Sequence, residues 1–183
     1  MGQIEVDEAY LGGKWKNRHI NAQTGKRQIP DKTAVLGILQ WGGKVVTSVI
    51  PNASAMEVLP RIRKHVTPRS TVFTDEARVY RTLPQLGYQH KRVYHSAFIY
   101  VDGEASTNSL ESFWSIAKNG IRGSNRHVGS HYLQDYLNAY AFRWNRRRNP
   151  ASMFDEISLR LPASKPTPTV RQRPEEPSRN QPE

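Results

Sequence analysis

The sequence contains no cysteine among its 183 residues. A disulfide framework and a cysteine-ligated zinc site are therefore excluded, and the reducing cytoplasm is the default location. No apolar run approaches the roughly 20 residues that a helix needs to span a bilayer, and no charged segment followed by an apolar one opens the chain. We therefore expect a cytoplasmic protein with no membrane partner.

Acidic residues are scarce, since 16 Asp and Glu stand against 27 Lys and Arg, a formal net charge of +11. Such a basic excess favours polyanionic partners such as nucleic acid. Residues 162–183 hold six of the twelve prolines and few apolar side chains, which predicts a disordered Pro-rich tail. Residues 1–161 are long enough for one core and too short for two ordinary domains, so we expect a single folded domain there.

The spacing of apolar residues predicts three strands, then a helix, a strand, a short helix, a strand and two helices. This order favours an α/β fold in which a mixed sheet of five strands carries helices on both faces. The strands are predicted over residues 4–11, 33–41, 44–50, 70–75 and 89–95, and the helices over 54–66, 79–86, 108–124 and 131–149.

Several turn and cap residues allow more local predictions. Gly42 and Gly43 are typical of a two-residue hairpin between the second and third strands. Ser54 and Glu57 have the spacing of a capping box at the start of the first helix, and Pro60 would kink that helix or mark its true start. Pro150 is expected to stop the last helix.

The helix predicted from residue 108 has an apolar stripe and a separate polar row. Asn108, Glu111, Ser115 and Lys118 lie on the same side at helical pitch, with Glu111 and Lys118 about 10 Å apart along the axis. A solvated helix face would produce the same pattern. The choice between a solvated face and a functional one depends on acidic residues elsewhere in the chain.

Two aspartates occupy positions where a lone carboxylate is costly. Asp7 lies within an otherwise apolar strand, and Asp75 ends another strand, where an Asx turn is the structural alternative. Together with Glu111 they can converge at the carboxyl-terminal edge of a sheet, and such convergence requires a cation. Oxygen ligands favour Mg²⁺ or Mn²⁺. Glu8 is expected to face away from Asp7, because strand neighbours point to opposite faces.

Four segments together resemble the catalytic core of bacterial insertion-sequence transposases of the DDE class. More specifically, they resemble the branch of this class whose third acid lies in an N-x-x-E-S-x-W-x-x-x-K helix. The resemblance covers about residues 3–160. The segments are VDEAYLGG (6–13), VFTDEARVY (72–80), NSLESFWSIAKNGIRG (108–123) and YLNAYAFRWNRR (136–147).

The resemblance implies an RNase H-like fold in which Asp7, Asp75 and Glu111 form a catalytic triad that binds two Mg²⁺ or Mn²⁺ ions. Some relatives are described with asparagine as the third signature residue, at the position of Asn108. We expect Glu111 to be the ligand, because a carboxylate binds Mg²⁺ better than an amide. Lys118 matches a lysine that is thought to contact DNA at the transposon end.

Basic residues are dense between Lys118 and Arg148, where seven Lys or Arg accompany one acid, Asp135. Arginines at the end of the last helix are also explained by the helix dipole, so phosphate contact is one of two interpretations. The residues expected to contact DNA are Asn108, Lys118, Arg122, Arg126, Arg143, Arg146 and Arg147.

By analogy with the family, the protein would cut one DNA strand at the element end and join the freed 3′-hydroxyl to target DNA, as a homodimer or higher oligomer. The alternatives are an RNase H-like nuclease that cuts without joining, and a catalytically inactive DNA-binding remnant. The family usually carries an N-terminal zinc-ribbon or helical region that recognises element ends. Because only six residues precede Asp7, we expect a truncated or split product.

Overall fold

The computed structural model describes residues 2–12, 32–93, 108–123 and 128–160, which form a five-stranded sheet flanked by helices. The strand order is β3-β2-β1-β4-β5. β2 is antiparallel to both β1 and β3, whereas β4 is parallel to both β1 and β5, so the predicted mixed sheet is confirmed. The strands are β1 (Gln3–Leu11), β2 (Thr33–Gln40), β3 (Val45–Ile50), β4 (Thr71–Thr74) and β5 (Gln89–Arg92).

The described part of the chain contains four α-helices beside the sheet. They are α1 (Ala55–His65), α2 (Asn108–Gly123), α3 (Leu133–Asn145) and α4 (Ala151–Arg160). The short helix predicted after β4 is present as two 3₁₀ segments, Arg78–Thr82 and Pro84–Leu86. Among the helices that the structure describes, none is long and apolar enough to cross a membrane. Arg126 and the Pro-rich tail at 162–183 lie outside the described residues.

Alternation along β1 creates two hydrophobic layers, one on each face of the sheet. Ile4 and Val6 pack with Val58 and Ile62 of α1. Ala9 and Leu11 pack on the opposite face, against apolar residues of α2 and α3. Successive side chains of a strand point to opposite faces, so one strand supports both layers. The prediction of helices on both faces is therefore confirmed.

A glycine in β2 allows α2 to lie close to the sheet. Gly37 pairs with Asp7 across the β1–β2 ladder. A Cβ atom at position 37 would lie 2.6 Å from Cζ2 of Trp114 and 3.0 Å from Cδ1 of Leu110. Residues paired across a ladder share a face, so Asp7 also faces α2.

Side chains of α3 cover the exposed edge of β3. The side-chain amide of Asn145 bonds the backbone of Val45, and that of Gln134 bonds the N–H of Val49 and the carbonyl of Thr47. Edge strands otherwise present unpaired backbone groups that can pair with another chain. Helix α3 therefore has a structural role, because its polar side chains bind the backbone at the edge of the sheet.

Some local predictions are wrong. Residues 41–44 join β2 to β3, so the loop is longer than two residues, although Gly42 does have a positive φ of 67°. Ser54 precedes α1 but makes no side-chain cap; its N–H donates to Oδ1 of Asn52, and the Glu57 carboxylate binds Arg61. Pro60 lies inside α1, which rules out the alternative that it marks the start of the helix and leaves the predicted kink a prediction.

Pro150 does not mark the end of the helical region. The Pro150 carbonyl accepts a hydrogen bond of 3.1 Å from the N–H of Met153, and α4 begins at the residue after Pro150. Proline is well suited to the start of a helix, where its missing N–H costs nothing. Pro150, which was expected to stop a helix, therefore precedes the start of α4.

Candidate active site at the carboxyl end of β4

Strand register places the two predicted aspartates side by side. The parallel ladder of β1 and β4 pairs Gln3 with Thr71 and Glu5 with Phe73. Continuing this register by two positions brings Asp75 next to Asp7. β1 extends to Leu11, well beyond its last pairing with β4, and its free edge opens a pocket at this point.

The pocket has a volume of about 390 Å³ and contains both aspartates. Glu8 lines it as well, contrary to the expectation that it would lie outside the site. Glu8 does point to the opposite face from Asp7, but the uncovered edge of β1 exposes both faces to the same space. The described residues that line the pocket are Asp7, Glu8, Tyr10, Ala53, Asp75, Ala77, Arg78 and Val79.

Burial and neighbouring negative charge raise the pKa values of Asp7 and Glu8 in the pocket. Burial, and then the negative charge of Asp75, raise the pKa of Asp7 to about 6, while the positive charge of Lys118 acts in the opposite direction. Burial raises the pKa of Glu8 to about 7; the Tyr80 hydroxyl partly opposes this, and the charges of Asp75 and Asp7 add to it. Like charges this close disfavour ionisation unless a cation compensates them.

Asp75 also forms the Asx turn that the sequence allowed as an alternative explanation for an aspartate at the end of a strand. Its Oδ1 accepts a hydrogen bond of 3.0 Å from the backbone N–H of Ala77, two residues on. This is the geometry of an Asx turn. The turn and the pocket are compatible, because the turn holds the carboxylate at the pocket wall.

Glu111, the third predicted ligand, does not line the pocket that contains Asp7 and Asp75. Glu111 is exposed on α2 and is not among the described residues that line the pocket. Within the described ranges, no three His, Cys, Asp or Glu side chains lie close enough to hold one metal ion. The structure therefore brings together two of the three predicted ligands, and the role of Glu111 stays a prediction.

The Asp7 and Asp75 pair fits a hard divalent cation. Both side chains offer oxygen donors to an open pocket, and the negative charge of Asp75 opposes ionisation of Asp7. A bound cation would remove that repulsion, and Mg²⁺ and Mn²⁺ prefer such oxygen ligands. Among the described residues of the pocket, Asp7 and Asp75 are thus the pair that would hold it.

The residues predicted to contact DNA differ in their surroundings. Lys118 is half-buried, and its charge acts on Asp7. Asn108 is the first residue of α2, and Arg122 is exposed near the end of that helix. The structure does not describe the side chain of Asn108, and it does not describe Arg126.

The arginines near the end of α3 are held by aromatic rings. Arg143 lies 5.9 Å from the ring centroid of Tyr140, and Arg147 lies 4.2 Å from that of Trp144. Both arginines are exposed. Arg146 is different, because it forms a salt bridge with Glu156 and stacks on Phe142 at 3.8 Å. Its intramolecular partners favour a structural role that joins α3 to α4.

Sequence reasoning missed two charged residues of interest. Arg78 lines the pocket three residues after Asp75, and that proximity in the sequence was the available signal. Glu5 is completely buried and accepts a hydrogen bond from the backbone of α2. Its position two residues before Asp7, on the same face of the strand, was the corresponding signal.

The sheet order and the helical layers define an RNase H-like α/β fold. The chain aligns with the crystal structure of the catalytic core domain of BIV integrase with a TM-score of 0.53 and 13% identity. The alignment covers 86% of this chain and 96% of that one. At this level of identity the likeness concerns the fold alone.

Residues 1–145 match the ISXO2-like transposase domain family, and the chain belongs to that family. It is 33% identical over 102 residues to an uncharacterized transposase-like protein of Haemophilus influenzae, covering 56% of this chain and 81% of that protein. It is 29% identical over 163 residues to an uncharacterized protein in transposable element ISH50 of Halobacterium salinarum, covering 81% of this chain and 54% of that protein. The chain thus spans about half the length of the second relative.

Proposed function

We propose that this chain is the catalytic domain of a DNA transposase that cuts and joins DNA strands with the help of divalent metal ions. The observation that carries the proposal is the pairing of Asp7 and Asp75 in one pocket at the carboxyl end of β4. Ligand sites in open α/β sheets commonly lie at such strand ends. Membership of a transposase family supports DNA as the substrate.

Asp7 and Asp75 would bind Mg²⁺ or Mn²⁺, and Glu111 is proposed as the third ligand of a site for two ions. When bound, the ions supply a lowered pKa for an attacking water and compensation of charge on the phosphate. Water then cuts one strand at the element end and frees a 3′-hydroxyl, which attacks a target phosphodiester in line. The chain contributes mainly positioning and charge neutralisation.

The basic residues around the pocket would bind the DNA backbone. Arg78 at the pocket wall and Lys118 beside Asp7 are closest to the proposed chemistry. Arg122, Arg143 and Arg147 are exposed, and they are proposed to bind DNA elsewhere on the protein together with Asn108 and Arg126. We place the protein in the cytoplasm with genomic DNA, acting as a homodimer or higher oligomer on that DNA.

A joining assay tests the proposal. The protein is incubated with Mn²⁺ and a duplex that carries a pre-nicked element end, taken from the DNA flanking the gene, and wild type is compared with Asp75→Asn. Asparagine keeps an Oδ1 for the turn to Ala77 but removes the charge. We expect the variant to lose about 100-fold or more of joining while still binding DNA. Glu57→Gln is the control, since Glu57 lies on α1 and pairs with Arg61.

Two other outcomes would replace the proposal. Cutting without joining would identify an RNase H-like nuclease. Salt-sensitive binding with neither cutting nor joining, unaltered by Asp75→Asn, would identify a catalytically inactive DNA-binding remnant.

A further inference from the structure

A buried glutamate connects the central strand to the first turn of α2. Glu5 has 0% of its surface exposed. Its Oε2 accepts a hydrogen bond of 2.7 Å from the backbone N–H of Leu110, which is 105 residues away in the sequence. A carboxylate buried without a partner would cost several kcal/mol, and this contact satisfies one of its two oxygens.

The contact suits both partners. Leu110 is the third residue of α2, and the N–H groups of the first helical turn have no acceptor within the helix. An acidic oxygen at this end also interacts favourably with the helix dipole. Burial raises the pKa of Glu5, and the hydrogen bond from Leu110 opposes that rise.

The location of this contact relates it to the active site. Glu5 lies two positions before Asp7 on the same face of β1, at a distance of about 7 Å along the strand. Leu110 directly precedes Glu111. One hydrogen bond therefore joins the strand that carries Asp7 to the helical turn that carries Glu111.

We propose that Glu5 is a positioning residue that holds the first turn of α2, and with it Glu111, against β1. The role of Glu111 rests on the proposed function, whereas the attachment of α2 to Glu5 does not. Trp114 packs over Gly37 one turn further along and provides a second contact to the sheet. The contacts of α2 at Leu110 and at Trp114 lie one turn apart along the helix. Together they set the distance of α2 from the sheet and its rotation about its own axis.

Hydrogen exchange tests the attachment without any need for activity. Exchange of a peptide covering residues 108–113 is compared in wild type, Glu5→Ala and Glu5→Gln. We expect Glu5→Ala to accelerate exchange in this peptide about tenfold or more, because the acceptor is lost. Glu5→Gln retains a side-chain oxygen and should restore most of the protection. Exchange in α1 should be unchanged, and Glu57→Gln serves as the matched control.

The joining assay then separates positioning from general stability. We expect Glu5→Ala to raise the Mn²⁺ concentration for half-maximal joining about tenfold, with Glu5→Gln close to wild type. Loss of stability alone would lower the amount of active protein and leave that concentration unchanged. If Glu5→Ala does not fold, Glu5→Asp, whose carboxylate is one methylene too short, takes its place and should show the same shifts to a smaller extent.

Particular results would overturn the inference. Unchanged exchange at 108–113 would show that Glu5 does not hold α2. Exchange raised equally in all helices would show a contribution to overall stability only. An unchanged Mn²⁺ midpoint together with faster local exchange would refute the link to Glu111. Absence of joining in wild type would refute the proposed function, and with it the link to Glu111, while the exchange data would still decide whether Glu5 holds the helix.

Discussion

The side-chain amide of Asn145 hydrogen-bonds both backbone groups of Val45. The N–H of Val45 donates to Oδ1 at 2.7 Å, and Nδ2 donates to the carbonyl of Val45 at 3.0 Å. One amide thereby takes the place of a neighbouring strand at the edge of the sheet. Gln134 acts in the same way further along β3, so two residues of α3 protect the edge.

Replacing Asn145 with alanine should therefore weaken the fold and expose the edge. We expect the free energy of unfolding to fall by about 1–3 kcal/mol, because two backbone groups lose their partners. Urea denaturation measures this loss, and light scattering should detect association through β3. Asn149→Ala is the control, since Asn149 is exposed after the end of α3. Equal stability of the two variants would contradict the role of Asn145.

Gly37→Ala should displace α2 from the sheet. The added methyl group would meet the indole of Trp114 at 2.6 Å, and a ring in the core has little room to move. We expect a loss of about 1–3 kcal/mol of stability and a shift in tryptophan fluorescence. Gly123→Ala, where a Cβ meets nothing within 4 Å, should be close to neutral. A Gly37→Ala protein as stable as Gly123→Ala would show that α2 is not held this closely.

Asp7 and Glu8 should make the metal-free protein less stable as pH rises. Folding raises the pKa of Asp7 from 3.8 to about 6 and that of Glu8 from 4.5 to about 7. The folded state therefore binds more protons than the unfolded state in this window. The resulting stabilisation is complete below about pH 4 and is lost by about pH 7.

Urea denaturation in EDTA at pH 5 and pH 7.5 measures this effect. Asp7→Asn should be more stable than wild type at pH 7.5, by about 2 kcal/mol, because it removes a charge that burial and Asp75 oppose. Adding Mn²⁺ at pH 7.5 should stabilise wild type and have little effect on Asp75→Asn. A wild-type stability that rises between pH 5 and pH 7.5 in EDTA would refute the assignment.

Arg146 and Arg147 should respond differently to substitution despite being neighbours. Arg147→Ala should lower DNA affinity and reduce the slope of log affinity against log salt by about 1, as expected for one lost phosphate contact. Arg146→Ala should leave that slope unchanged and reduce thermal stability, because Arg146 pairs with Glu156. Binding titrations at several salt concentrations and a melting curve measure both effects. Equal salt slopes for the two variants would refute this distinction.

Most secondary structure was predictable because periodicity is a local property of the chain. The apolar stripe of α2, for example, corresponds to one face of a single helix. Errors arose where a distant partner or a neighbouring turn decided the outcome. Glu57 pairs with Arg61 instead of completing a cap with Ser54, and Pro150 opens α4 instead of ending the helical region.

The candidate site was predictable only in part. Asp7 and Asp75 stood out because a carboxylate in or at the end of a buried strand is costly, and the structure places both in one pocket. Glu8 was expected to lie outside the site but lines the pocket. Its exposure to the pocket depends on where β4 stops pairing with β1. Arg78 was not singled out, because its position breaks no local pattern, and Glu5 was overlooked although it lies in the same strand and on the same face as Asp7.

The sequence by itself determined the order of the strands and of the helices as far as α3, and it singled out the two aspartates, because each of these depends on residues that are close together in the chain. The tertiary structure alone decided which side chains meet. The bond from Leu110 to Glu5, the packing of Trp114 over Gly37 and the pairing of Asn145 with Val45 all join residues that are distant in the sequence. Contacts of this kind depend on strand register and helix placement, which local periodicity does not specify.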